Sequence, residues 1–199
     1  MIAKLLADSD VHEKADILLI GDRHLFEMGQ TQAGTETEMV ACDANKGDWT
    51  DISGLAIHER ETIAADDVRL AEVTYANGHS ALSNLNCALE MARDGIIDAI
   101  TFGPFNKAAL IEAGLGHEDE LHHMAEFLGV EGYISELNTL NGIWTSRVSS
   151  HIALKDVASY ITEHRITEAV HLIDRTLRRS GLSRPRLSVA ALNPHAGDN

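Results

Sequence analysis

The sequence is short of proline, cysteine and positive charge, and each shortage excludes something. Three prolines and 15 glycines in 199 residues rule out a low-complexity chain, and a charged fraction of 24% is ordinary for a globular protein. The two cysteines, Cys42 and Cys87, share no CxxC spacing. They read as free thiols of a reducing compartment, packed in a core, and not as a disulfide framework. Lys and Arg number 16 against 31 Asp and Glu, giving a formal charge of -15. Such a surface repels a phosphate backbone, and no basic run is longer than Arg178-Arg179, so nucleic acid is not an expected partner. Met1 to Asp8 holds a charged Lys4 and only a short apolar stretch, which fits neither a signal h-region nor a membrane span. A cytoplasmic protein without a membrane partner is expected.

What is present is enough apolar material, 44% of the chain, for one α/β domain or one and a piece. Ile17 to Ile20 is a compact apolar run closed by Gly21-Asp22, the pattern of a buried parallel strand and its turn. A short helix is expected from His24 to Gly29. From Thr31 to Asp67 the chain is rich in Thr, Asp, Gly and Asn around an apolar patch at Met39 to Cys42, and surface strands and loops are expected. Leu82, Leu85, Ala88, Leu89 and Ala92 recur at helical spacing until Asp94-Gly95 stops them. Asp98 to Phe102 reads as a strand, Gly103-Pro104 as a break, and Lys107 to Ala113 as a helix. Helices are also expected over 118–128 and 166–179, with a last strand from Leu187 to Leu192. Helix and strand alternate, which predicts a mostly parallel sheet with helices on its faces and functional loops beyond the strands' carboxyl ends.

Three clusters place ligand-capable side chains in such loops: Gly103 to Lys107, Gly116 to Glu120, and Ser149-Ser150-His151 with Asn193-Pro194-His195. Of 11 histidines, most carry no signal singly, and His122 and His123 read as a solvated helix face among carboxylates. His151 and His195 each follow a small or apolar stretch and precede a turn, from which two imidazoles can converge on one ion. A catalytic divalent site takes three protein ligands and an open position, so a third donor has to come from elsewhere. Imidazoles suit zinc, cobalt, nickel or iron, and a hydroxy-acid substrate adding oxygens also admits magnesium or manganese. His117, at the start of the helix over 118–128, can contact a bound anion or help cap the helix. Lys107 can meet a phosphate or carboxylate, or pair with Glu112 or Asp98.

At these clusters the chain resembles the 4-hydroxythreonine-4-phosphate dehydrogenase family of pyridoxine biosynthesis. The matching stretches are Gly103-Pro104 with Lys107, Ala113-Gly114 leading to Gly116-His117, Ser150 to Val157, and Leu192-Asn193-Pro194-His195-Ala196-Gly197. The resemblance implies a three-layer α/β/α subunit like the isocitrate and isopropylmalate dehydrogenases, incomplete at both ends, and a homodimer with its site at the subunit interface. It implies NAD as cofactor, a divalent metal held by His151 and His195, and His117 as a catalytic and substrate-binding residue with Lys107 beside it. The reaction implied is hydride transfer from the carbon bearing the hydroxyl of a phosphorylated hydroxy acid, followed by decarboxylation.

Residues 1–199 correspond to the N-terminal and middle portion of such a subunit. The third metal histidine, much of the NAD site and several phosphate contacts are expected from a C-terminal portion beyond them, so the alternative is a non-catalytic fragment or pseudoenzyme. A phosphate acyltransferase of similar architecture is a further alternative, with no nicotinamide requirement. Where the family usually has threonine after the substrate histidine, this chain has Glu118, followed by Asp119 and Glu120. Carboxylates beside a phosphate are unfavourable unless a cation intervenes. That departure points to a related substrate such as a threonate or erythronate phosphate.

Overall fold

The computed structural model describes residues 1–47, 49–117, 119–150, 152–193 and 195. It divides into two compact units, Met1–Val130 and Glu131–Asn199. In the first unit the elements run α1 (Ile2–Leu6), α2 (Ser9–His12), β1 (Leu18–Gly21), α3 (Arg23–Ala33), β2 (Met39–Ala41), β3 (Leu55–Glu59), α4 (Tyr75–Arg93), α5 (Lys107–Glu112) and α6 (Glu120–Phe127). The second unit holds β4 (Asn138–Leu140), β5 (Ile143–Thr145), α7 (Val157–Tyr160) and α8 (Glu163–Arg179).

The first unit is built on a parallel sheet of order β1-β3-β2, with Leu18 opposite Ala56 and Met39 opposite Leu55. Alternation along β1 distributes its side chains between two cores. Leu19 packs with Ala3, Leu6, Phe26 and Leu55 under α1 and α3, whereas Leu18 and Ile20 pack with Ala44, Cys87 and Met91 under α4. Helices therefore cover both faces, the three-layer α/β/α arrangement that a parallel sheet requires. The central strand β3 lies in the stretch expected to hold only surface strands and loops, yet Leu55, Ala56 and Ile57 are all buried. Its apolar run is three residues long, too short to stand out in the sequence; the burial comes from two flanking strands and a helix on each face.

Helix α4 begins at Tyr75 and not near Ala81, because Thr74 caps it by accepting a hydrogen bond from the Asn77 N–H. Its interior Gly78, which intrinsic propensity disfavours by about 1 kcal/mol, is demanded by packing. A β-carbon there would lie 1.9 Å from the Ala109 carbonyl oxygen of α5. Close approach of the two backbones buries Ala109 and Leu110 and fixes α5 against α4. Gly78→Ala is expected to drive the helices apart at a cost of about 2–3 kcal/mol, the range for overpacking a core. Thermal melting should show Tm lower by roughly 5–10 °C; an unchanged Tm would mean that the close approach is absent.

Two expected strands do not form. The stretches 98–102 and 187–192 have no strand partner among the described residues, and Phe102, Val189 and Leu192 are exposed. An apolar run becomes a strand only where a neighbour takes up its N–H and C=O groups, and neither stretch has one. The second unit contains instead an antiparallel hairpin, β4 with β5, whose turn places Asn141 and Gly142 at φ of 49° and 79°. Asn-Gly with both residues left-handed is the type I′ turn that matches strand twist. Helix α8 starts at Thr162, which accepts from the Arg165 N–H, and buries Ala169 and Leu177. Among the described residues no helix is long and apolar enough to cross a membrane. Both cysteines are free thiols.

Candidate active site around His117

The carboxyl ends of β1 and β3 are locked together by one buried side chain. The carboxylate of Asp22, which follows β1, accepts from the N–H of Thr62 at 2.8 Å, the N–H of Ile63 at 3.3 Å and the hydroxyl of Thr62 at 2.5 Å. That hydroxyl also meets Ser80 Oγ of α4 at 2.6 Å. The loop after β3 is thereby tied to β1 and α4.

Helix α5 opens with Asn106 as its cap, accepting from the Ala109 N–H, so that Lys107 is the first helical residue and is exposed. Among the described residues Lys107 makes no ion pair; neither Glu112 nor Asp98 takes it. Helix α6 is capped by Asp119, whose carboxylate accepts from the His122 N–H at 3.0 Å and from His122 Nδ1 at 2.6 Å. Capping by His117 is therefore corrected: the residue lies outside the helix, and Asp119 has that role. Burial pushes the Asp119 carboxyl up, but the two hydrogen bonds from His122 and the charges of His122 and Lys107 outweigh it and hold the carboxyl below its ordinary range. Asp119 is thus held ionised, with its carboxylate engaged by His122 and the charge of Lys107 acting on it. Glu118 lies outside the described residues.

His117 donates from Nε2 to the carboxylate of Glu126, in the last turn of α6. Its ring centroid is 6.2 Å from that of His123, which donates from Nε2 to Asn86 Oδ1 of α4 at 2.7 Å. His123 also lies beside the Phe127 ring and is half-buried, so it does not belong to a solvated face as the sequence suggested; only His122 is largely exposed. Glu126 and Asn86 carry no sequence signal as partners, since each is recognisable only once α6 is laid against α4. An imidazole held through one nitrogen by a carboxylate, with the other nitrogen left for a reacting group, is the oriented acid or base of many enzymes.

Burial disfavours the charged form of His123, and the His117 charge adds to this, so its pKa lies below 6.5 although Glu126 pulls the other way. An unfolded chain takes up a proton near pH 6.5 that the folded ring resists. This contribution to stability is complete above that value and declines as the pH falls from it towards the lower folded pKa. Acidification from about pH 7.5 to about pH 5.5 should therefore lower Tm less in His123→Asn than in the parent; equal falls would leave His123 without a part in the pH response.

Of the two expected metal ligands, His151 lies outside the described residues. His195 is exposed, and its main-chain N–H donates to Asn193 Oδ1 at 3.1 Å, an Asx turn. Among the described residues no three His, Cys, Asp or Glu side chains are grouped to hold a metal ion. The described part of the chain is thus at most a partial donor set.

Comparison with known proteins bears on the fold and the family. A family model described as "Pyridoxal phosphate biosynthetic protein PdxA" matches residues 13–199. A protein of Pseudomonas aeruginosa named "Putative 4-hydroxythreonine-4-phosphate dehydrogenase 2" is 46% identical over all of this chain and 59% of its own length. One of Bradyrhizobium diazoefficiens named "Putative D-threonate 4-phosphate dehydrogenase" is 30% identical over 92% of this chain and 51% of its own. The crystal structure of a 4-hydroxythreonine-4-phosphate dehydrogenase from Burkholderia phymatum superposes with a TM-score of 0.83 at 27% identity, covering 99% of this chain and 59% of that one. The chain spans a little over half the length of the relatives it matches. By its α/β fold and by a match running from residue 13 to residue 199, it belongs to the PdxA family of pyridoxal phosphate biosynthetic proteins.

Proposed function

We propose that these residues form the N-terminal and middle portion of a homodimeric dehydrogenase that uses NAD and a divalent metal ion to oxidise a phosphorylated hydroxy acid. Candidate substrates are 4-hydroxythreonine 4-phosphate and D-threonate 4-phosphate, both of which appear in the names of relatives. The observation that carries the reading is His117, fixed through Nε2 by Glu126, with Lys107 at the head of α5 near enough to Asp119 for its charge to act there. Lys107 attracts the substrate's anionic group, and Nδ1 of His117 is left to exchange a hydrogen bond or proton with it. In the proposed reaction the carbinol carbon would give its hydride to NAD, the hydroxyl proton would go to Nδ1 of His117, and the resulting oxo acid would lose carbon dioxide. His151 and His195 would hold the metal together with a third donor, and the ion would supply Lewis acidity towards the hydroxyl. NAD carries the redox step, so the protein's part is orientation and electrostatics.

The charge of Lys107, which acts on Asp119, supports a phosphorylated substrate in spite of the surrounding acids. Incubating a protein of the relatives' full length that contains this sequence with NAD, a divalent metal and both candidate substrates should produce NADH with at least one. No NADH from either, with folded protein, would leave the family membership standing and remove the proposed reaction.

A further inference from the structure

Beyond the carboxyl end of β3, Arg60 lines a cavity of about 280 Å³ with His79, Ser83, Asn86, Cys87 and Glu90 of α4 and the side chain of Leu82. Its main-chain N–H donates to the Gly21 carbonyl, which fixes the residue at the mouth of the parallel sheet, where ligands of open α/β sheets bind. The guanidinium is half-buried, donates from Nη2 to Ser83 Oγ at 3.0 Å and lies against the Cys87 thiol. In a chain of charge -15, no carboxylate among the described residues lies within 4.0 Å of it. A partly desolvated guanidinium is ordinarily matched by an anion, and here the protein leaves that place to solvent or ligand. Neutral donors and acceptors from His79, Ser83 and Asn86 surround it, while Glu90 contributes a single acceptor of negative charge at the rim.

We propose that this cavity is a binding site for a small phosphate monoester that carries a hydroxyl, the phosphate on Arg60 and the hydroxyl donating to Glu90. The size suits few heavy atoms, being at the lower edge of the usual range of about 300–1,000 Å³. Arg60 presents a planar fork of donors suited to a phosphate, and the carboxylate of Glu90 penalises an anion without a hydroxyl to offer. Asn86 connects the cavity to the neighbouring site, since its Oδ1 holds His123. Occupancy therefore reaches the ring next to His117 through one side chain. The inference stands apart from the proposed dehydrogenase reaction: it needs neither NAD nor metal.

Titration of a protein of the relatives' full length that contains this sequence, free of NAD and metal, with glycerol 3-phosphate and with inorganic phosphate, followed by calorimetry and by the histidine ring signals in NMR, tests it. Saturable binding with equimolar stoichiometry is expected, tighter for the monoester, with the His79 and His123 signals moving together. Arg60→Met should weaken both ligands at least tenfold. Glu90→Gln, at an exposed position that leaves the fold intact, should tighten inorganic phosphate several-fold and erase the preference for the monoester. Binding that does not saturate, or that is the same in Glu90→Gln and the parent, would overturn the proposal.

Discussion

Replacing His195 by alanine, in a protein of the relatives' full length that contains this sequence, is expected to abolish metal binding and turnover together while leaving the fold intact. His195 is exposed, and its main-chain N–H, which donates to Asn193 Oδ1 in the turn, is retained by alanine. Substitutions at such positions usually change stability by no more than about 0.5 kcal/mol. Loss of an imidazole from a set of three ligands, by contrast, leaves two, too few for a catalytic ion. Calorimetric metal titration and NADH formation read the first effect, and thermal melting reads the second. Retained metal affinity would show that the residue is no ligand.

The second large effect is expected at His117. His117→Ala should lower kcat/KM by about 10²–10⁴, the usual contribution of a positioned acid or base. Glu126→Gln keeps an acceptor for Nε2 but loses its charge, and a fall of about tenfold is expected, a change in hydrogen-bond strength of some 1.4 kcal/mol. Because Glu126 acts through His117, the two effects should not add: Glu126→Gln made in the His117→Ala background should change kcat/KM little. Full additivity of the two substitutions would detach Glu126 from the site.

What could be read in the sequence follows from how local each feature is. The strand at β1 was legible because four apolar residues run into Gly21-Asp22, and α5 and α8 because their apolar spacing begins at a recognisable cap or break. The central strand β3 was not, since three apolar residues between Gly54 and His58 make a strand only where β1 and β2 flank them. The reverse holds for 98–102 and 187–192: apolar runs of strand-like composition remain unpaired among the described residues because pairing is a tertiary property. Gly78 hid the first turns of α4, as an interior glycine reads as a breaker until the Ala109 carbonyl opposite it is seen. The Asn141-Gly142 pair is a hairpin signal that a search for long apolar runs passes over.

For the site, residue types and positions were legible but partners were not. His117 and Lys107 stand in a motif, and the resemblance assigns them roles. Glu126 and Asn86 are nine and 37 residues from the histidines they hold, and nothing in their own neighbourhoods marks them. Asp119 illustrates the same limit for electrostatics. Counted in sequence it adds negative charge beside a phosphate; in the fold its carboxylate is occupied by the N–H and ring of His122. The buried Asp22 reads as an ordinary turn residue, and only the fold brings Thr62 and Ile63 to it.

Diffraction from the metal-loaded, full-length protein at the absorption edge of the bound metal tests the central claim most directly. A single anomalous peak about 2.0–2.2 Å from an imidazole nitrogen of both His151 and His195 is predicted. A peak beside only one of them, or a metal bound elsewhere with the two rings apart, would contradict it.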